Sequence, residues 1–93
     1  VTLLERNARC NSAFWIYSML VDNRDSFYKH MDECNISVSQ VHERNDKHSC
    51  VKEFNTQLPN LDKTIGKIVN IPVGWWITKE EREYIVNCIK KGW

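Results

Sequence analysis

Apolar positions fall into a few short runs separated by long polar stretches. The densest run is Phe14-Trp-Ile-Tyr-Ser-Met-Leu-Val21, bounded by Asn11-Ser12 and by Asp22-Asn23. A run of this length, rich in aromatic and β-branched residues and closed by turn formers, predicts a strand. It is apolar on both faces, so it belongs centrally in a sheet that is covered on both sides or covered by another domain. Val1–Leu4 predicts a short strand before it, followed by a polar loop over Glu5–Ser12. After the run the period changes. Phe27, Met31 and Cys34 stand at i, i+4 and i+7, the stripe of a helix that Asp22 or Asn23 caps and Asn35 stops. Ile36-Ser-Val-Ser-Gln-Val41 alternates partially and predicts a second strand returning along the first.

From His42 to Asn60 the chain is polar and without strong periodicity, the kind of long loop that often carries function. Leu61, Ile65, Ile68 and Val69 restore helical spacing and predict a short helix over Asp62–Val69, weakened by Gly66. In Asn70-Ile-Pro-Val-Gly-Trp-Trp76, Pro72 denies a ladder donor and Gly74 loosens the backbone, which predicts a short edge strand or an extended loop. Thr78-Lys-Glu-Glu81 is a capping box. The helix it opens buries Tyr84, Ile85, Cys88 and Ile89, and Lys90-Lys91-Gly92 ends it with cations on the dipole and a glycine terminator. These elements describe one small α/β domain of α+β character: a short, mostly antiparallel sheet with two to three helices packed on it.

Length and charge narrow the reading. A chain of 93 residues buries only about 60–65% of its unfolded surface, enough for one thin core and no second domain. Ten aromatic residues, four of them Trp, with a net charge of +1, exclude a disordered chain. No segment forms the basic track that phosphate backbones require, which argues against nucleic-acid binding. No run approaches the ~18 apolar residues of a membrane span, and no signal peptide opens the chain, so the expected location is cytoplasmic. The missing initiator methionine points to a chain that begins inside a longer protein. Cys10, Cys34, Cys50 and Cys88 are an even number, so disulfides must be weighed, but their spacing fits neither zinc nor CxxC patterns. Reduced cysteines, with Cys34 and Cys88 packed as small hydrophobes, are the favoured expectation.

Candidate chemistry is sparse. His42-Glu43 invites comparison with the HExxH zinc helix, but the next histidine is His48, six residues on and on the opposite side of any helix. His42, His48 and Cys50 could ligate a metal only from a loop and lack an evident fourth ligand, so no metal is assigned. Adjacency of His48 and Cys50 gives no oriented nucleophile, and the acidic residues mostly lie on solvated helix faces. Trp75-Trp76 is more distinctive. Adjacent indoles on an extended segment point to opposite sides, one toward the core and one toward a partner or ligand.

The order of segments resembles a known family. Phe14-Trp-Ile-Tyr-Ser-Met-Leu-Val, Asn23-Arg24-Asp25, Cys34-Asn35-Ile36-Ser37-Val38, Val41-His42-Glu-Arg44-Asn45-Asp46, Leu58-Pro59-Asn60, Ile71-Pro72-Val73-Gly74-Trp75-Trp76-Ile77-Thr78-Lys-Glu-Glu81 and Tyr84-Ile85 are similar, in series, to the C-terminal part of DegT-type aminotransferases. The resemblance spans nearly the whole chain. It implies the small domain of a fold-type-I, pyridoxal-phosphate-dependent enzyme that aminates keto-sugars attached to nucleotides, in a parent expected to be a homodimer. It also implies that the cofactor's lysine and most phosphate contacts lie in a large domain. None of the eight lysines here matches the family's lysine motif, so the chain alone is expected to hold no cofactor and to be inactive. The resemblance places the His42–Asp46 segment on the substrate side of the cleft. Many members have His-Tyr-Pro there, whereas this sequence is similar to a sugar-aminotransferase subgroup. His42, Arg44 and Asn45 are the expected substrate contacts, the imidazole on a sugar hydroxyl and the guanidinium on a phosphate; the alternatives are that His42 caps the strand end and that Arg44 pairs with a carboxylate. Trp75 and Trp76 are the expected interdomain or partner surface. The competing reading is a stand-alone α/β domain that binds a ligand or protein without catalysis.

Overall fold

The computed structural model describes residues Val1–Trp93. Its sheet has three antiparallel strands in the order β1 (Thr2–Leu3), β2 (Tyr17–Leu20), β3 (Ile68–Ile71). The α+β class and the central place of the apolar run therefore hold. β2 is half the predicted length. Phe14 takes a φ of 46° and its N–H is held by Ser12 Oγ at 3.1 Å, so the chain turns before it can join the ladder. On the partner strand at that same end, Tyr17 faces Ile71, and Pro72 has no N–H with which to continue.

Met19 lies opposite Val69, and both are fully buried against the helices. Helix α1 (Arg24–Glu33) supplies Phe27 and Met31 to this layer, and helix α3 (Lys79–Lys91) supplies Ile85 and Cys88. The helix ends follow from their caps. Asn23 accepts the Ser26 N–H at 3.1 Å, and Thr78 and Glu81 close a reciprocal box at 3.2 and 2.7 Å. At the C-terminal end of α1, Asn35 adopts a φ of 56°. Ile36 N–H then reaches back to Met31 C=O at 2.8 Å, and both side chains are buried. This is a Schellman closure with its hydrophobic contact.

Three expectations change. Ile36–Val41 forms no strand and does not return along β2. It makes one antiparallel bridge, Ser39 to Asn70, on the free edge of β3. The predicted helix over Asp62–Val69 is displaced to α2 (Pro59–Thr64), and Ile68 and Val69 are the start of β3. Pro59 suits the first helical turn, and a core slot opposite Met19 outweighs helical spacing at Val69. Tyr84 is half exposed rather than core; its hydroxyl donates to Cys34 C=O at 3.1 Å. The polar stretch between His42 and Asn60 carries two short 3-10 helices, Asn45–Lys47 and Ser49–Phe54.

All four cysteines are free thiols; Cys88 is buried, Cys34 half-buried, and Cys10 and Cys50 exposed. The neighbouring Cys88 thiol, with burial, pushes the Cys34 thiol above its usual range. No helix is long and apolar enough to cross a membrane.

Only nine residues are buried, and the chain exposes 7589 Å². A compact protein of this mass exposes about 5,600 Å² by the usual size scaling. The radius of gyration, 15.5 Å, likewise exceeds the roughly 12 Å of a compact chain this long. The surplus, roughly 2,000 Å², is of the order that a stable protein interface covers.

Candidate functional site

Asn70 organises the approach to the His42 segment. It is a buried polar residue on β3, and its side chain donates to Ser18 Oγ at 2.6 Å and accepts the Val41 N–H at 3.0 Å. Its backbone N–H and C=O pair with Ser39 at 2.8 and 3.1 Å. One residue thus joins β2, β3 and the extended stretch that delivers His42. The His42 ring is exposed and meets the edge of Trp15, with ring centroids 6.2 Å apart. Trp15 is itself 77% exposed.

Arg44 is engaged on every side. Its Nε and Nη2 donate to the two carboxylate oxygens of Asp46 at 2.9 and 2.7 Å, and its Nη1 donates to Asp62 of α2. The hydrogen bonds it donates to Asp46 and then Asp62 raise the guanidinium's pKa, and the same Arg44 contact holds the Asp46 carboxyl below its ordinary value. The Arg44 and Asp46 side chains are only 19% and 10% exposed, so the pair is a sheltered brace. Asn45 follows on the exposed outside, where its C=O accepts the His48 N–H at 3.2 Å. The structure therefore brings His42 and Asn45 to one exposed loop and turns Arg44 inward to fix that loop to α2. His48 and Cys50 are exposed, and no three His, Cys, Asp or Glu side chains converge as metal ligands.

The tryptophan pair departs from its expected split. Trp75 is 93% and Trp76 65% exposed, and neither enters the core. They meet edge to face, centroids 5.9 Å apart, because the Trp76 ring folds back over Gly74. A Cβ at position 74 would lie 2.6 Å from the ring, which explains the glycine. Behind Gly74 runs an apolar groove of about 480 Å³, walled by Leu3, Tyr17, Ile71, Val73, Val86 and Ile89. Sequence reasoning missed Trp15 as the neighbour of His42; it allowed for a carboxylate partner of Arg44 without naming Asp46 or Asp62. The first needs a tertiary contact between distant segments. Asp46 was readable, lying two residues from Arg44 in a charged loop.

A lysine that condenses with an aldehyde cofactor must lose its proton near neutral pH, usually by burial. All eight lysines of this chain are exposed. The residues present do not fit the pyridoxal phosphate that the resemblance implies.

Comparison with known proteins decides the relationship. The sugar aminotransferase CalS13 from Micromonospora echinospora superposes with a TM-score of 0.92 and 42% identity over 98% of this chain. This chain is similar to one quarter of a sugar aminotransferase. AtS13 from Actinomadura melliaura gives a TM-score of 0.91 and 41% identity, again over 98% of the chain. The chain spans 25% and 24% of the lengths of these two proteins. No protein-family model and no curated protein matches it. The likeness to sugar aminotransferases drawn from the ordered series of segments is thereby borne out.

Proposed function

We propose that this chain is the C-terminal small domain of a DegT-type, pyridoxal-phosphate-dependent aminotransferase acting on a keto-sugar carried by a nucleotide. The observation that carries this reading is the match to CalS13, 42% identical over nearly the whole chain and a quarter of the larger protein. The surface left uncovered supports it, since about 2,000 Å² beyond the compact expectation is an interface's worth of area. In this reading a large domain of the same protein covers Trp75 and Trp76 and holds the cofactor, the parent is a cytoplasmic homodimer, and the 93-residue chain is inactive alone. His42 and Asn45 face the sugar from the loop that Arg44 braces. An exposed imidazole can hydrogen-bond a sugar hydroxyl, whereas Arg44 positions the loop, three of its five donors being spent on Asp46 and Asp62.

A chimera tests the reading. The matching quarter of CalS13 is replaced by Val1–Trp93, and transamination is measured beside the parent enzyme and beside the isolated chain. The expected result is a folded, active chimera and an inactive isolated chain. A chimera that folds and retains cofactor but does not turn over any keto-sugar would sink the substrate-side assignment.

A further inference from the structure

We propose that Arg24 and Gln40 are positioning residues, a hydrogen-bonded relay that sets where the His42 ring stands; its value to the reaction rests on the substrate-side reading of His42 given above. The relay starts at the first residue of α1. Arg24 Nη1 donates to Gln40 Oε1 at 2.6 Å and to Ile65 C=O at 2.9 Å, which uses both of its N–H groups. A guanidinium only donates, so the Gln40 amide must turn its oxygen to Arg24 and its nitrogen away. That nitrogen donates to His42 C=O at 2.9 Å. Arg24 and Gln40 are both half-buried, and Arg24 reaches partners 16 and 41 residues further along the chain, so the relay exists only in the folded protein.

With the Arg44 brace, the relay closes a circuit. Two residues after His42, Arg44 reaches Asp62 in the first turn of α2; Ile65, at the end of α2, is held by Arg24, and Arg24 returns through Gln40 to His42. The short helix α2 is thus gripped near both ends. The backbone at His42 is fixed on both sides as well, with Val41 N–H on the Asn70 side chain and His42 C=O on Gln40. What stays open is the imidazole, exposed and set against the edge of Trp15. A pinned backbone under an open ring holds that ring in one place, and a misplacement of about 1 Å is enough to cost a positioned group much of its effect.

Gln40→Glu cuts this relay at a single bond. A carboxylate keeps the acceptor that Arg24 uses and adds charge to it, but has no N–H for His42 C=O and repels that oxygen. In the 93-residue chain, nuclear Overhauser contacts between the His42 ring and Trp15 should fall severalfold in Gln40→Glu, while circular dichroism and melting temperature hold. Arg24→Met removes both donated bonds, so it should release His42 and lower the melting temperature too. In the chimera, assayed with the sugar that CalS13 itself turns over, Gln40→Glu should raise the KM for that sugar about two- to tenfold, the worth of one hydrogen bond, with kcat nearly unchanged. Undiminished His42–Trp15 contacts in Gln40→Glu overturn the proposal. So does a melting temperature in Gln40→Glu as low as in Arg24→Met, or an unchanged KM in an active chimera. An inactive wild-type chimera counts against the substrate-side reading instead, because the contacts in the isolated chain decide the relay by themselves.

Discussion

Replacing both Trp75 and Trp76 by Ser should leave the isolated chain as stable as before and weaken the chimera with CalS13. The two indoles are 93% and 65% exposed. Since a tryptophan buries about 150–250 Å² when covered, the pair offers roughly 300 Å² or more to a partner. At about 25 cal/mol per Å² the ceiling is near 8 kcal/mol, and after ordering and desolvation costs about 2–4 kcal/mol should remain. In the isolated chain the rings touch mainly each other and Gly74, so the substitutions should stay within about 0.5 kcal/mol. The assay is thermal unfolding of the isolated chain and of the chimera, each with and without the substitutions, with limited proteolysis at the junction as a second readout. Gly74→Ala provides an independent handle. Its Cβ would meet the Trp76 ring at 2.6 Å and force it aside, so it should reproduce part of the loss in the chimera and little in the isolated chain. A clear drop in the isolated chain's melting temperature would show that the indoles cap this domain's own core. An unaffected chimera would show that no neighbour covers them. Either result refutes the reasoning.

Two further outcomes follow from local geometry. Thr78→Ala removes one arm of the capping box and should cost about 1 kcal/mol, lowering the melting temperature by about 4–8 °C. Thr78→Ala combined with Glu81→Ala should cost less than the two separate losses added, because the arms are reciprocal. For Asp46, the native carboxyl pKa is depressed by Arg44, so its stabilising contribution is complete above the unfolded value of about 3.9 and is lost as pH falls through the lower native value. Carbon-detected NMR titration should show Asp46 protonating below the ordinary carboxylate range, and Arg44→Gln should return its midpoint toward that range. An unchanged midpoint in Arg44→Gln would remove Arg44 as the cause.

What the sequence determined by itself were features set by near neighbours. Asn23, Asn35, Thr78 and Glu81 fix helix ends through contacts a few residues long, and each appears where those residues stand. The spacing of Phe27, Met31, Ile85 and Cys88 marks the faces that are buried. Whatever depends on a distant partner was less visible. Val69 reads as helix by period and becomes strand because Met19 faces it across fifty residues of chain. Ile36–Val41 has the alternation of a strand, yet the free edge of β3 accepts only its bridge at Ser39, held by the buried Asn70.

The candidate site divides along the same line. The sequence singled out His42, Arg44 and Asn45 as one loop, and the pair Trp75-Trp76 as unusual. Only the tertiary structure decided that Arg44 also reaches Asp62 of α2, that Trp15 stands beside His42, and that both indoles face outward. The physical reason is range. Caps, turns and periodicity are satisfied within about one helical turn and so are written locally. Pairing of charges, stacking of rings and the balance of covered and uncovered surface depend on which segments the fold brings together.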